Sequence, residues 1–169
     1  MLLERLDASR SLATLPLTEA AATAGALIRT LAIEAPGPFP PLRTTARELA
    51  TTLPERQRSL HDPVPGQWIA LAASLTEKLA RDPVRLLVHT DLHYDNILAS
   101  PRPDQPWAAI DPAPAAGATE RSVAELLWTR ADELPGPRAI TGLLGRLVEH
   151  GHLDQAKATA WGFVRSIDY

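Results

Sequence analysis

Apolar residues recur at three- and four-residue intervals along most of this chain, and gather into short continuous runs only in its middle. Pro16-Leu17-Thr18-Glu19 reads as a helix start with Thr18 as its N-cap. That helix is predicted over about 18–34, with Ala24, Leu27, Ile28 and Leu31 on one face. The prolines of Pro36-Gly37-Pro38-Phe39-Pro40-Pro41 end it, because they remove backbone donors and fix φ. A second helix is predicted over about 42–60, with Pro54 as a potential break, and a third over 67–81 after a Pro/Gly turn. Apolar positions of the third include Ile69, Ala72, Ala73 and Leu79. The period then changes. Residues 84–88 suit a strand, and 96–99 and 107–110 suit two more, paired as a hairpin through a long Pro-rich loop. Residues 2–6 fit a short strand or an extended linker. Beyond the Pro/Ala/Gly stretch that ends at Gly117, helices are expected over about 122–132, 137–150 and 154–168, with Ser122 and Glu125 spaced as a capping box. The pattern predicts a single α+β domain over 1–169, mostly helical, with helices in 18–82 and 118–169 and a small β insert in 84–111.

Composition narrows the function classes. The 169 residues are 45% apolar, enough for one soluble domain with a core. A net charge of −3 gives no basic field for nucleic acid. No cysteine is present, which removes disulfides and thiolate metal sites. The charged N-terminal segment lacks a signal-peptide apolar region, and no apolar run reaches the length of a membrane span, so a cytoplasmic protein without a membrane partner is expected.

The chemistry sits on the β insert. The apolar run Leu86-Leu87-Val88 leads into His89-Thr90-Asp91-Leu92-His93-Tyr94-Asp95-Asn96, and Trp107-Ala108-Ala109-Ile110-Asp111-Pro112 follows. This H-x-D-L-x-x-x-N spacing, followed by a strand that ends in Asp, is the arrangement of a kinase catalytic loop and its metal-binding Asp. Phosphoryl transfer needs a carboxylate near the acceptor hydroxyl, hard oxygen ligands for Mg²⁺, and donors that steady the phosphates. Asp91 fits the first role, and Asn96 and Asp111 fit the second. His89 is expected to order the loop through hydrogen bonds rather than to do chemistry. A competing reading takes His89, Asp91 and His93 as alternate residues of a strand that share a face and hold a transition metal for hydrolysis. It leaves Asn96 and Asp111 without a role.

These segments, HTDLHYDN followed by WAAIDP, resemble the aminoglycoside phosphotransferase family, in its streptomycin 6-phosphotransferase and hydroxyurea phosphotransferase branch. LLERLDASRSL resembles that group's hinge strand, so the likeness extends over most of the chain. It implies the C-terminal lobe of a protein-kinase-like fold, with residues 1–17 as a hinge-like segment. It also implies ATP as phosphoryl donor, Mg²⁺ as cofactor, and a small-molecule hydroxyl as acceptor, an aminoglycoside among the options. By the same resemblance Asp91 is the catalytic base, Asn96 and Asp111 are metal ligands, and Glu4 and Leu6 lie at the nucleotide hinge.

The chain departs from the family pattern in three ways. There is no G-x-G-x-x-G, and neither of its two lysines, Lys78 and Lys157, falls on a strand, so an N-terminal lobe is missing and a truncated form is expected. Where the family carries a Gly-Asp pair and a later Asp that anchors the catalytic loop, this chain has Gly117-Ala118 and Ser122. The last helix stops at Tyr169, short of the aromatic residues that usually continue it. A catalytically inactive lobe or pseudoenzyme is therefore the alternative to a working phosphotransferase. Other residues carry plainer expectations. Trp68, Trp107, Trp128 and Trp161 read as packing residues, His61 as surface, and His150 and His152 as a helix C-terminal capping pair. Glu120, Glu125, Asp132 and Glu133 read as a solvated helix face.

Overall fold

The computed structural model describes residues 4–61 and 63–168. Two helical groups flank two small sheets. Strand β1 (Asp7–Ser11) is followed by helices α1 (Leu17–Leu31), α2 (Leu42–Ser59) and α3 (Gly66–Leu79). Strands β2 (Leu86–His89), β3 (Ile97–Ala99), β4 (Trp107–Ala109) and β5 (Pro114–Gly117) come next, then α4 (Val123–Trp128), α5 (Pro137–Gly151) and α6 (Gln155–Asp168). The expected α+β, mostly helical class is what forms. The expected pairing of the two middle strands also forms, with Ile97 opposite Ala109 and Ala99 opposite Trp107.

Two cores hold these elements. One joins α1, α4 and α5 to Leu92, Tyr94 and Ile97 of the segment that follows β2. The other joins α2, α3 and α6 to Val88 of β2 and Ala115 of β5. In α1 the predicted face is buried at Ala24, Leu27 and Ile28. Gly25 lets α1 approach α5 closely, since a Cβ there would meet the Leu147 carbonyl at 2.9 Å. Trp161 of α6 lies at the centre of the second core, 1% exposed.

Several expectations are corrected. Helix α1 begins at Leu17 behind Pro16, which places Thr18 inside the helix rather than at its cap. It ends at Leu31 because the next residues run beside β2, where the Leu87 N–H donates to Ile33 O (2.8 Å) and the Ala35 N–H to Arg85 O (3.0 Å). Helix α2 continues through Pro54 without a break. Of the segment at residues 2–6, the described part, Glu4 to Leu6, is irregular, and the strand is β1, paired with β3. The stretch read as a Pro/Ala/Gly loop contains β5, antiparallel to β2 with Leu86 opposite Gly117.

The helix expected over 122–132 is three pieces: a 3₁₀ turn at Thr119–Ser122, α4, and a second 3₁₀ turn at Ala131–Glu133. Ser122 has helical backbone and makes no side-chain cap, so the capping box does not form. Glu120 and Glu125 are buried rather than solvated, whereas Asp132 and Glu133 are exposed as expected. Glu125 accepts two bonds from Arg121, at 2.6 and 3.1 Å, and a third from Arg165 at 3.3 Å. Glu120 accepts the Asp154 N–H at the start of α6 (3.0 Å).

Trp68 is 43% exposed and meets Phe163 edge-on, while the other three tryptophans are wholly or partly buried. His61 is exposed as expected. At the end of α5 it is His152 that takes the left-handed cap conformation (φ 53°), with its Nε2 3.1 Å from Arg29 Nη1; His150 makes no cap.

Candidate active site

The site forms where β2 ends. The pairing of His89 with Pro114 carries the chain to the sheet edge, and Leu92, fully buried, pins the turn that follows. A 3₁₀ turn at Tyr94–Asn96 then redirects the backbone into β3. Tyr94 is buried beneath this turn with Arg130 over its ring at 5.4 Å, and burial pushes its phenol above the ordinary value, so it stays protonated. Arg130 also donates to Leu15 O (2.9 Å) and is held by Glu133, which ties the segment after β1 to the underside of the loop.

Hydrogen bonds join His89, Asp91 and Asn96 to one another and to Ile110, the residue before Asp111. The Asp91 N–H donates to His89 Nδ1 at 3.2 Å. An amide N–H can only donate, so Nδ1 accepts, and the proton of the neutral ring sits on Nε2. Nε2 then donates to the Ile110 carbonyl at 2.9 Å, one residue before Asp111. Asn96 Nδ2 donates to the Asp91 carbonyl at 3.0 Å, and the Ile110 N–H donates to the Asn96 carbonyl at 2.9 Å. Thr90 donates through both its N–H (3.0 Å) and its hydroxyl (2.9 Å) to Ala113 O, on the other side of Asp111. Asp111 itself takes φ 48°. Carbonyls on both flanks are thus clamped around a residue in the left-handed region, which favours Gly, Asn or Asp.

The side-chain oxygens of Asp91, Asn96 and Asp111 remain unspent among the described residues. The carboxylates of Asp91 and Asp111 are on exposed residues and make no hydrogen bond or ion pair among the described residues. Asn96 is buried, with Nδ2 committed and Oδ1 left without a donor among the described residues. Two hard oxygen donors from two side chains suit Mg²⁺, which keeps several other ligands as water or phosphate.

The His89 ring bonds to backbone groups on both of its nitrogens, the Asp91 N–H and the Ile110 carbonyl. The transition-metal reading fails here. Both His89 nitrogens face backbone groups, Asp91 lies beyond the strand, and no group of three His, Cys, Asp or Glu among the described residues could hold a metal.

Glu4 and Leu6 lie elsewhere. Glu4 is paired with Arg102 from the β3–β4 loop, with Nη2 to Oε2 at 2.6 Å. Leu6 lines an open cleft of about 660 Å³ with Asp7, Ser9, Arg10 and Ser100. Asp7 pairs with Ala99, so this cleft is one strand length from Asn96, roughly 10 Å at a strand's rise per residue. Thr90 is a contributor that the sequence did not single out, and Ser122 is one that it noted only as standing where the family carries an anchoring Asp. Ser122 Oγ donates to the His89 carbonyl at 3.0 Å, and both roles depend on segments far along the chain.

Among the described residues no helix is long and apolar enough to cross a membrane. A family profile described as "Aminoglycoside/hydroxyurea antibiotic resistance kinase" matches residues 1–168. The chain is 36% identical to a streptomycin 6-kinase of Streptomyces glaucescens, over 98% of its own length and 55% of the relative's. It is 33% identical to a streptomycin 6-kinase of Streptomyces griseus, with the same coverage. It is 35% identical to a hydroxyurea phosphotransferase of Kitasatospora aureofaciens, over 99% of its own length and 48% of the relative's. The chain therefore spans about half the length of these curated relatives. No solved structure matches it. A profile match over nearly every residue, on a chain whose motif residues are joined by one hydrogen-bonded circuit, places it in the aminoglycoside/hydroxyurea antibiotic resistance kinase family.

Proposed function

We propose that this chain forms the C-terminal lobe of a kinase-like fold and carries the base and metal ligands for transfer of the ATP γ-phosphoryl group to a hydroxyl of a small molecule. The observation that carries this reading is the circuit through His89, Ile110, Asn96 and Asp91, which fixes the backbone and leaves Asp91, Asn96 Oδ1 and Asp111 free. The Asp91 carboxylate orients the acceptor hydroxyl and takes its proton as the oxygen bonds to the γ-phosphorus. The bond from that phosphorus to the bridging oxygen breaks, and ADP leaves. Asn96 and Asp111 would hold Mg²⁺, which supplies neutralisation of phosphate charge. Leu6 and the β1 cleft are assigned to the nucleotide base by the hinge resemblance, and Glu4 serves to brace that segment through Arg102. The acceptor is a small hydroxyl-bearing molecule of the streptomycin or hydroxyurea kind, after the names of the relatives.

A second reading, a kinase-like fold that no longer turns over, has its own support. The 169 residues hold no Gly-rich phosphate loop. Lys157 is paired with Asp82, and Lys78 is exposed on α3. One titration separates the two. Calorimetry of ATP into the chain, with and without Mg²⁺, is expected to give saturable binding that needs the metal and weakens at least tenfold in Asp111→Ala. Absence of binding at millimolar ATP would leave the non-catalytic reading standing.

A further inference from the structure

Arg130 lies between two parts of the site that the sheet joins only loosely. Strand β1, whose residues 8–10 wall the open cleft, pairs with β3 at Asp7–Ala99 and Ser11–Leu98, and the register is broken between those two pairs. The ladder therefore gives the middle of β1 no rigid link to β3, which begins one residue after Asn96. A second link passes underneath. A 3₁₀ turn at Leu12–Thr14 follows β1, and Arg130 Nη1 donates to the carbonyls of Leu12 (3.5 Å) and Leu15 (2.9 Å). The other two nitrogens donate to Glu133, Nε to Oε1 at 2.5 Å and Nη2 to Oε2 at 2.7 Å. With each of its three nitrogens committed, the planar guanidinium is held in one orientation. Its carbon sits over the Tyr94 ring, 5.4 Å from the centroid. Tyr94 is 1% exposed, shares a core with Leu12, and opens the turn that ends at Asn96.

We infer that Arg130 is a positioning residue of the site, acting through Tyr94, and that it couples the β1 cleft to the metal-ligand end of the loop. A ligand that orders β1 fixes the Leu12 and Leu15 carbonyls, and a guanidinium held by them and by Glu133 passes that constraint to the Tyr94 ring. The ring is buried in a close-packed core and does not shift alone, so the turn moves with it, and Asn96 with the turn. Charge over the ring is not sufficient for this. A lysine ammonium can lie over Tyr94, but it offers no planar fork to bridge a carboxylate and two carbonyls. Occupation of the cleft and of the metal site must then change each other's affinity by one and the same factor. The factor is favourable, because each ligand orders a segment that the other also needs ordered.

This inference rests on the proposed roles of the β1 cleft, Asn96 and Asp111. Its probes are adenosine for the cleft and Mn²⁺ for the metal ligands. Adenosine has no phosphate to bridge to the metal, so coupling between the two has to pass through the protein. Calorimetry on the 169-residue chain is expected to show adenosine binding about fivefold more tightly in saturating Mn²⁺, and Mn²⁺ gaining equally in saturating adenosine. The factor should fall to one in Arg130→Met and Arg130→Lys. It should keep its wild-type value in Tyr94→Phe, which retains the ring and removes a hydroxyl that has no hydrogen-bond partner among the described residues. Glu133→Ala covers the case in which the Arg130 variants fail to fold. The Glu133 side chain is 45% exposed, so the core is kept, and loss of its clamp on the guanidinium should at least halve the factor. A factor of one in the wild type, or an undiminished factor in Arg130→Met or Glu133→Ala, overturns the coupling. A merely structural Arg130 would lower stability and leave the factor unchanged. Failure of either probe to bind the wild type would overturn that site's assignment instead, and the side-chain amide signals of Asn96 in a ¹⁵N spectrum would still decide the role of Arg130. They are expected to move in Arg130→Met and Glu133→Ala and to stay in place in Arg56→Met, which breaks an ion pair between α2 and α6. Unmoved Asn96 signals in the first two variants, or an equal movement in Arg56→Met, overturn the positioning role.

Discussion

Asp111 adopts φ 48° immediately before Pro112, a combination that crowds an L side chain against its own backbone. The bonds from His89 and Thr90 to the carbonyls on either side hold it there. Strain at such a position is tolerated because the surroundings over-determine it. Two substitutions separate the carboxylate from the backbone. Asp111→Gly and Asp111→Ala both remove the proposed metal ligand and are expected to lose Mn²⁺ binding equally. They should differ in stability, because glycine enters the left-handed region freely while alanine does not. Denaturant unfolding is expected to find Asp111→Gly the more stable by about 1 kcal/mol, once glycine's unfolded-state entropy is counted. Equal stabilities would mean the backbone there is not strained. At this scale the candidate residues stand at a recognisable spacing in the sequence, and one circuit joins His89, Asp91 and Asn96 to Ile110, the residue before Asp111. Their supports were not legible. Thr90 bonds to Ala113 and Ser122 to His89, partners that no local pattern indicates. Glu125 looked solvated because its second cationic partner, Arg165, comes from another helix.

Elements with strong local signals came out where the periodicity put them. Helices α5 and α6 match their expected spans within a residue or two, as the apolar stripe alone requires. Strand β5 was missed for the opposite reason. Pro-Ala-Ala-Gly carries no β-branched or aromatic residue, and it is extended because it pairs with β2 and its Gly117 sits against Leu42, whose Cβ a new methyl would meet at 2.6 Å. Helix α2 shows tertiary packing overriding a local breaker. Pro54 lacks the N–H that the Ala50 carbonyl would accept, yet Leu49, Leu53 and Gln57 are buried on both sides of it. The helix is held by its apolar face and tolerates the lost bond. Pro54→Ala restores that bond and is expected to stabilise the chain by roughly 1–2 kcal/mol, the helix-interior penalty less the unfolded-state entropy that proline removes. Thermal unfolding checks it, and a lower Tm in the alanine variant would show that the proline ring contributes packing worth more than the bond.

On the scale of the whole molecule, α6 joins what the two cores separate. It packs in the second core through Trp161 and Val164, and its Arg165 reaches Glu125 of α4 beside the turn that carries Ser122. Its first turn is tied to the segment after α3 by Lys157, whose Nζ lies 2.6 Å from Asp82 Oδ2. Desolvation, the largest single influence, pushes the Asp82 carboxyl up. The Lys157 ammonium and the Val84 N–H together outweigh it and hold the carboxyl below its ordinary 3.8. The Asp82 carboxylate in turn raises Lys157 above its ordinary 10.5, against a smaller desolvation effect. The signs then follow from linkage. A lowered carboxyl contributes stability that is present above 3.8 and lost as pH falls through the folded value. A raised ammonium contributes stability that is present below 10.5 and lost as pH rises through the folded value. Asp82→Asn keeps the shape and the Val84 contact but removes the charge. Its Tm should lie below that of the wild type across the neutral range, and the difference should close at both extremes. The pair is partly exposed, so the difference should also shrink in molar salt. A difference that persists unchanged to the acid extreme would show that it does not arise from the charge pair with Lys157.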